Sequence, residues 1–141
     1  MSHQYSVSAN SQPDSLVTLN AEGIPDIESG PPKEFGGSGE QWSPEDLLVA
    51  AVADCFVLAF KAIAAASKYD WIELDCAVTG TLDKVERAMQ FTAFDIKATL
   101  KIPGDADAAR AERLLDKAKK TCFITNSLKA ETQLQFEIET A

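Results

Sequence analysis

The order of elements read along this chain predicts an α+β fold, with antiparallel sheets around one long central helix. Three observations carry that reading. The stretch from Leu47 to Ala66 is apolar on nearly every side, with Asp54 and Lys61 as its only charges. Segments before and after it alternate polar and apolar residues with the period of two that a half-buried strand requires. A second helical pattern, from Ala106 to Lys120, lies between two such segments.

Length and composition bound the rest. A chain of 141 residues, 45% hydrophobic and 25% charged, is expected to form one soluble domain over 1–141. Within it, 1–40 reads as strands and a loop, 43–67 as the central helix, and 71–141 as strands, helices and a closing strand. The formal charge of −9 argues against nucleic acid as a partner, because phosphate binding needs clustered Lys and Arg. The opening MSHQYSVSANSQPDS lacks the features of a secretion signal, so a cytoplasmic location is expected. Three cysteines without a CxxC pair, and a single histidine, His3, in the tail, leave no ligand spacing for zinc. No metal site and no histidine catalysis are expected.

The elements follow in order. Tyr5 to Ala9 alternates, Asn10 to Asp14 is turn-rich, and Leu16 to Leu19 and Ile24 to Ile27 are β-prone. The loop SGPPKEFGGSGEQ is dense in glycine and proline and reads as a linker or as a shaped surface beside a site. Ser43-Pro44-Glu45-Asp46 is a helix start: serine can cap, proline fits the first helical position, and acids favour the positive end of the dipole. The helix it opens is long enough to span a membrane. Two charges in mid-span, many alanines and the lack of a second apolar segment favour a buried helix instead.

Trp71 to Leu82 predicts a strand with Ile72, Leu74, Cys76 and Val78 on its apolar face. Val85 to Ile102 supplies one or two more, with Phe94, Ile96, Ala98, Leu100 and Ile102 alternating. After the turn Pro103-Gly104-Asp105 the amphipathic helix Ala106 to Lys120 turns Ala111, Leu114, Leu115 and Ala118 inward. Cys122 to Lys129 is a short helix or helical turn, and Gln133 to Glu139 closes as a strand.

The residues able to carry chemistry are the cysteines. Cys55 lies in the middle of the apolar helix, where a thiol reads equally well as an inert small hydrophobe. Asp54 beside it would raise its pKa unless the carboxylate points elsewhere. Cys76, on an apolar strand face, reads as structural. Cys122 follows Lys119 and Lys120, whose charges would favour its thiolate if they lie close.

The segment GIPDIESGPPKEFGGSGEQWSPEDLLVAAVADCF resembles the signature of the OsmC/Ohr family of organic hydroperoxide reductases. It has the loop ending Phe35-Gly36-Gly37, Pro44-Glu45 at a helix start, and Cys55-Phe56 with the cysteine ten residues after the glutamate. The second family motif, Cys-Pro-x-Ser-Asn or a close variant, is matched by Cys122-Phe123-Ile124-Thr125-Asn126. The resemblance implies an OsmC-like fold and a thiol peroxidase without cofactor that reduces alkyl or fatty-acid hydroperoxides to alcohols. In it Cys55 is the attacking thiolate, Cys122 the resolving thiol that closes a disulfide, and Glu45 a further catalytic residue. Phe35, Phe56 and Phe123 are the expected substrate pocket, and a dithiol, often a lipoyl group on a protein, the expected reductant. The family's arginine in the early strand-turn region has no counterpart here, where the turn reads Ser11-Gln12-Pro13-Asp14-Ser15 and the first arginine is Arg87. Lys33 and Arg87 are therefore the candidate activating cations. Phe123 stands where the reductases carry proline.

One geometric point is independent of the resemblance. At about 1.5 Å rise per residue, ten helical residues separate Glu45 from Cys55 by roughly 15 Å, too far to touch. A second copy of the helix packed antiparallel would bring them together, so an intertwined homodimer is expected. The rival reading is a non-catalytic protein of the same fold that holds an apolar ligand in the dimer pocket.

Overall fold

The computed structural model describes residues 2–141, which fall into two compact units, 2–48 and 49–141. In the first, β1 (Ser8–Asn10), β2 (Val17–Ala21) and β3 (Ile24–Ser29) form an antiparallel sheet. The β2–β3 turn needs Gly23, whose φ of 81° lies in the left-handed region that glycine enters without strain. A single 3₁₀ turn, Lys33–Phe35, sits in the Gly/Pro-rich loop. Among the described residues this unit buries no large apolar side chain; Ile24 and Ile27 are exposed.

The central helix α1 (Pro44–Ala66) begins in the first unit and runs on through the second. Ser43 caps it as the sequence predicts, its Oγ accepting the Asp46 N–H at 3.0 Å. Asp46 Oδ2 returns the bond, accepting the Ser43 N–H at 3.2 Å and its hydroxyl at 2.9 Å, a reciprocal capping box.

In the second unit β4 (Glu73–Val85) and β5 (Ala88–Ile102) make a long antiparallel hairpin. Its turn is Glu86-Arg87, with both φ values positive at 49° and 74°, the geometry that matches the twist of the flanking strands. Then come α2 (Ala108–Lys120), α3 (Phe123–Asn126) and β6 (Glu131–Thr140). The expectation of wholly antiparallel sheets is corrected at one pairing, because β6 lies parallel to β5. The reason is the connection: a chain that leaves β5 through two helices returns to the starting end of the strand, as a parallel pairing requires.

Register sets the faces. Leu74, Cys76 and Val78 stand opposite Leu100, Ala98 and Ile96, which in turn stand opposite Ile138, Phe136 and Leu134, so one face of the sheet is apolar. The expected apolar face of β4 thus holds except for Ile72, which precedes the strand and is exposed. From β5, Phe94, Ile96, Ala98, Leu100 and Ile102 are buried. So is the predicted inner face of α2, Ala111, Leu114, Leu115 and Ala118.

Helix α1 buries a single stripe, Val52, Phe56, Phe60 and Ala64, spaced every four residues. Each of the large side chains in it contributes about 1.5–3 kcal/mol of burial free energy. Phe60 meets Trp71 edge-on at 5.4 Å between ring centroids. Gly80 of β4 lets the helix approach, since a Cβ there would come within 2.9 Å of Val49 Cγ2. By length and composition α1 could cross a membrane. Here one stripe of it packs into the core, and the rest is half-buried or exposed.

Candidate functional site: a thiol pair at the edge of an apolar groove

The helical period that buries Val52, Phe56 and Phe60 turns Cys55 away from the core. The thiol opens into a groove of about 500 Å³. One wall is the outward ridge of α1, Ala51, Leu58, Ala59, Ala62 and Ile63, residues three, four, seven and eight positions from the cysteine. The other wall is Thr121, Phe123 and Ile124, at the junction of α2 and α3. Asp54 is the one charged residue among those lining it.

Cys122 is the residue before α3 and is only 1% exposed. It comes from the far end of the chain to lie behind Cys55, close enough for each thiol to shift the other. Both are free thiols. The first intrahelical bond of α3 runs from the Asn126 N–H to the Cys122 carbonyl. That leaves the N–H groups of Phe123, Ile124 and Thr125 without helical partners, as at any helix start. They act on the sulfurs, those of Phe123 and Ile124 on Cys55 and those of Ile124 and Thr125 on Cys122, without closing a side-chain cap bond at Cys122. The Thr125 hydroxyl, 3.3 Å from the Cys122 carbonyl oxygen, also reaches the Cys122 sulfur.

These donors divide the pair. Burial pushes the Cys122 thiol up, but the Thr125 hydroxyl and N–H, the Cys55 thiol and the Ile124 N–H more than reverse this and hold it below its ordinary value. Burial also pushes Cys55 up; the Ile124 N–H opposes it, while the hydrogen bond and negative charge of a Cys122 thiolate add to it. Cys55 ends above its ordinary value. Two thiols this close titrate as a pair, so the two proton losses belong to both sulfurs together. The lowering at Cys122 does not come from Lys119 and Lys120, as the sequence suggests, and Lys120 instead pairs with Asp116 at 2.9 Å. Asp54 is not among the groups that move Cys55.

The other sequence candidates are dispersed. Phe123, 81% exposed, lines the groove, whereas Phe56 is fully buried in the core stripe and does not. Adjacent helical residues point about 100° apart, so Cys55 and Phe56 face different ways. Glu45 and Phe35, with Ser15, Leu16, Pro31 and Pro32, border a hollow of about 440 Å³ inside the first unit. There Glu45 Oε1 is buried with no hydrogen-bond partner. Lys33 is on the exposed 3₁₀ turn of the same unit. Arg87, at the exposed tip of the β4–β5 hairpin, does not line the groove, and neither cation makes an ion pair among the described residues. Cys76 is pushed up to about 11 by burial, which makes it unreactive. Sequence reasoning missed Ile124, Thr125 and the α1 ridge. The ridge was available from the three- and four-residue spacing from Cys55.

A family model described as OsmC-like protein matches residues 37–137. The chain belongs to the OsmC family. Among its OsmC relatives is the peroxiredoxin OsmC of Escherichia coli (strain K12), 30% identical over 97 residues that cover 69% of this chain and 67% of the relative. The organic hydroperoxide resistance protein of Xanthomonas axonopodis pv. citri is 29% identical over 106 residues, covering 72% and 70% of the two chains. The OsmC fold is matched in solved structures too. An OsmC-like protein of unknown function from Vibrio cholerae O1 biovar eltor superposes with a TM-score of 0.88 at 20% identity, over 96% of this chain and all of the other. An organic hydroperoxide resistance protein OsmC from Legionella pneumophila does so at 0.72 and 20% identity, covering 97% of each.

Proposed function

We propose that this OsmC-family protein is a thiol peroxidase that reduces organic hydroperoxides to alcohols. The observation that supports it is the division of labour between the thiols: Cys55 is open to an apolar groove, and Cys122 is buried directly behind it. In the reaction the Cys55 thiolate attacks one peroxide oxygen, the O–O bond breaks, and the departing alkoxide takes a proton to leave as the alcohol. The Cys55 sulfenic acid then condenses with the Cys122 thiol, releasing water and forming a disulfide. A dithiol, such as a lipoyl group on a protein, restores both thiols by exchange and is itself oxidised to a disulfide. The apolar walls favour alkyl peroxides, which gain from leaving water, over hydrogen peroxide, which gains little.

A second copy of the chain completes the molecule in this reading. The half-exposed apolar flank of α1 and a first unit without large buried apolar residues both call for cover. Glu45 then serves the thiol of the other copy rather than its own, as the ten-residue helical separation requires. Lys33 or Arg87 is the cation that would take the place of the absent arginine. The competing reading, a binding protein that holds an apolar ligand without turnover, is favoured by one observation: no cation is among the groups that act on Cys55.

The test is dithiol-dependent consumption of an alkyl hydroperoxide by the wild type, Cys55→Ser and Cys122→Ser. The wild type turns over and gains a Cys55–Cys122 bridge, seen as the loss of two hydrogens by mass spectrometry. Cys55→Ser falls to the uncatalysed rate. Equal rates in wild type and Cys55→Ser, or none in either, refute the enzyme and leave the binding protein.

A further inference from the structure

The hydroxyl of Thr125 is spare where it sits. It donates to the Cys122 carbonyl at 3.3 Å, a long bond to an oxygen that already accepts the Asn126 N–H at 3.1 Å. It also acts on the Cys122 sulfur: burial pushes that thiol up, and this hydroxyl is the foremost of the groups that bring it back below its ordinary value. A backbone N–H has a fixed aim, whereas a hydroxyl proton turns about a single bond. Thr125 is half-buried and Cys122 only 1% exposed, so little water competes for the sulfur. The two sulfurs also differ in access, because Cys55 lines the groove and Cys122 does not.

We infer that Thr125 directs the regeneration of the thiols: its hydroxyl turns from the Cys122 carbonyl to the Cys122 sulfur as the disulfide is reduced, so that Cys122 leaves and the reductant bonds to Cys55. The inference rests on the Cys55–Cys122 disulfide of the proposed peroxidase. One thiolate of the dithiol attacks the Cys55 sulfur, the S–S bond breaks, and its electron pair passes to the Cys122 sulfur. The Thr125 hydroxyl donates to that new thiolate and keeps its own proton. The second thiol of the reductant then attacks the mixed disulfide, releasing Cys55 and leaving the reductant as a disulfide. A disulfide sulfur is a weak acceptor and a thiolate a strong one, so the bond gains strength as the reaction proceeds. The carbonyl loses little, since it keeps the Asn126 N–H. A hydrogen bond to a charged sulfur, half made in the transition state, is worth roughly three- to tenfold in rate.

The test starts from a bridge made with diamide, which takes two hydrogens from the thiol pair and becomes a hydrazine, so no hydroperoxide is needed. Reduction by dithiothreitol is followed in the wild type, Thr125→Val and Thr125→Ser. Valine keeps the branched shape without the hydroxyl, and serine keeps the hydroxyl. Thr125→Val is expected to be reduced roughly three- to tenfold more slowly, and Thr125→Ser at the wild-type rate. Brief exposure of the bridged wild type to β-mercaptoethanol, trapped with N-ethylmaleimide, should leave mercaptoethanol on Cys55 and the maleimide on Cys122 by mass spectrometry. With Cys55 and Cys76 replaced by alanine, the ultraviolet absorbance of the Cys122 thiolate should appear at higher pH in Thr125→Val and return to its place in Thr125→Ser. A merely structural Thr125 predicts the opposite sign in the first assay, because a loosened α3 exposes Cys122 and speeds reduction. A valine variant reduced at or above the wild-type rate, or mercaptoethanol on Cys122, overturns the inference and leaves the peroxidase standing. A slow valine variant rescued by serine, in a protein that consumes no hydroperoxide, upholds the role of Thr125 and overturns the peroxidase instead. A protein that forms no bridge with diamide overturns both.

Discussion

At the residue scale the governing fact is that one structural device, the free N–H groups at the start of α3, acts on two sulfurs at once. The device favours Cys122 because that thiol also receives the Thr125 hydroxyl. A raised thiol is protonated below its pKa and reactive above it, so labelling of Cys55 in the wild type should increase with pH into the alkaline range. Replacing Cys122 by serine removes the neighbouring sulfur's charge and its hydrogen bond, both of which push Cys55 up. The pH profile of Cys55 labelling in Cys122→Ser is therefore expected to move to lower pH. A profile that moves up, or stays in place, would show that Cys122 does not control its neighbour. The same variant, exposed to hydroperoxide, should accumulate a sulfenic acid that a dimedone-type reagent traps.

At the scale of elements, two local features carry stability that can be measured. The Ser43–Asp46 capping box satisfies first-turn groups of α1, and Ser43→Ala is expected to cost about 1 kcal/mol, read as a lower denaturant midpoint at unchanged slope. Gly80→Ala would force a Cβ to within 2.9 Å of both Phe91 Cε1 and Val49 Cγ2 where helix meets sheet. Overpacking of that kind costs about 1–3 kcal/mol. A variant as stable as the wild type would mean that α1 and β4 can separate without loss. The strands and the amphipathic α2 were legible because each is written in a local period, two for β4 and β5 and near four for α2, and α1 was legible through its cap and its unbroken apolar run. The parallel seat of β6 was not legible, because Leu134, Phe136 and Ile138 give the same alternation in either direction.

On the scale of the whole molecule, a long helix that is apolar on all sides has more surface to hide than one sheet supplies. Only Val52, Phe56, Phe60 and Ala64 of α1 are buried. Leu58, on the opposite flank, is 56% exposed. The proposed second copy accounts for this, and light scattering behind size exclusion should give twice the chain mass at micromolar concentration. A monomer at that concentration would remove both the composite site and the role given to Glu45. Partitioning into membranes would favour the spanning reading of α1 instead.

By itself the sequence determined the elements, the helix cap and the inward faces of β5 and α2, because these depend on spacing along the chain, and its two cysteine motifs carried the resemblance to the family. It also marked Cys55 and Cys122 as the residues to watch. Tertiary structure decided what spacing does not contain. It brought the two sulfurs together from opposite ends of the fold and turned Cys55 outward while sending Phe56 into the core. It also set the donors at the start of α3 so that they lower the buried thiol while burial raises the accessible one. The physical reason is that a thiol's reactivity depends on the donors and the water around its sulfur, and the packing of α1 against α3 sets both.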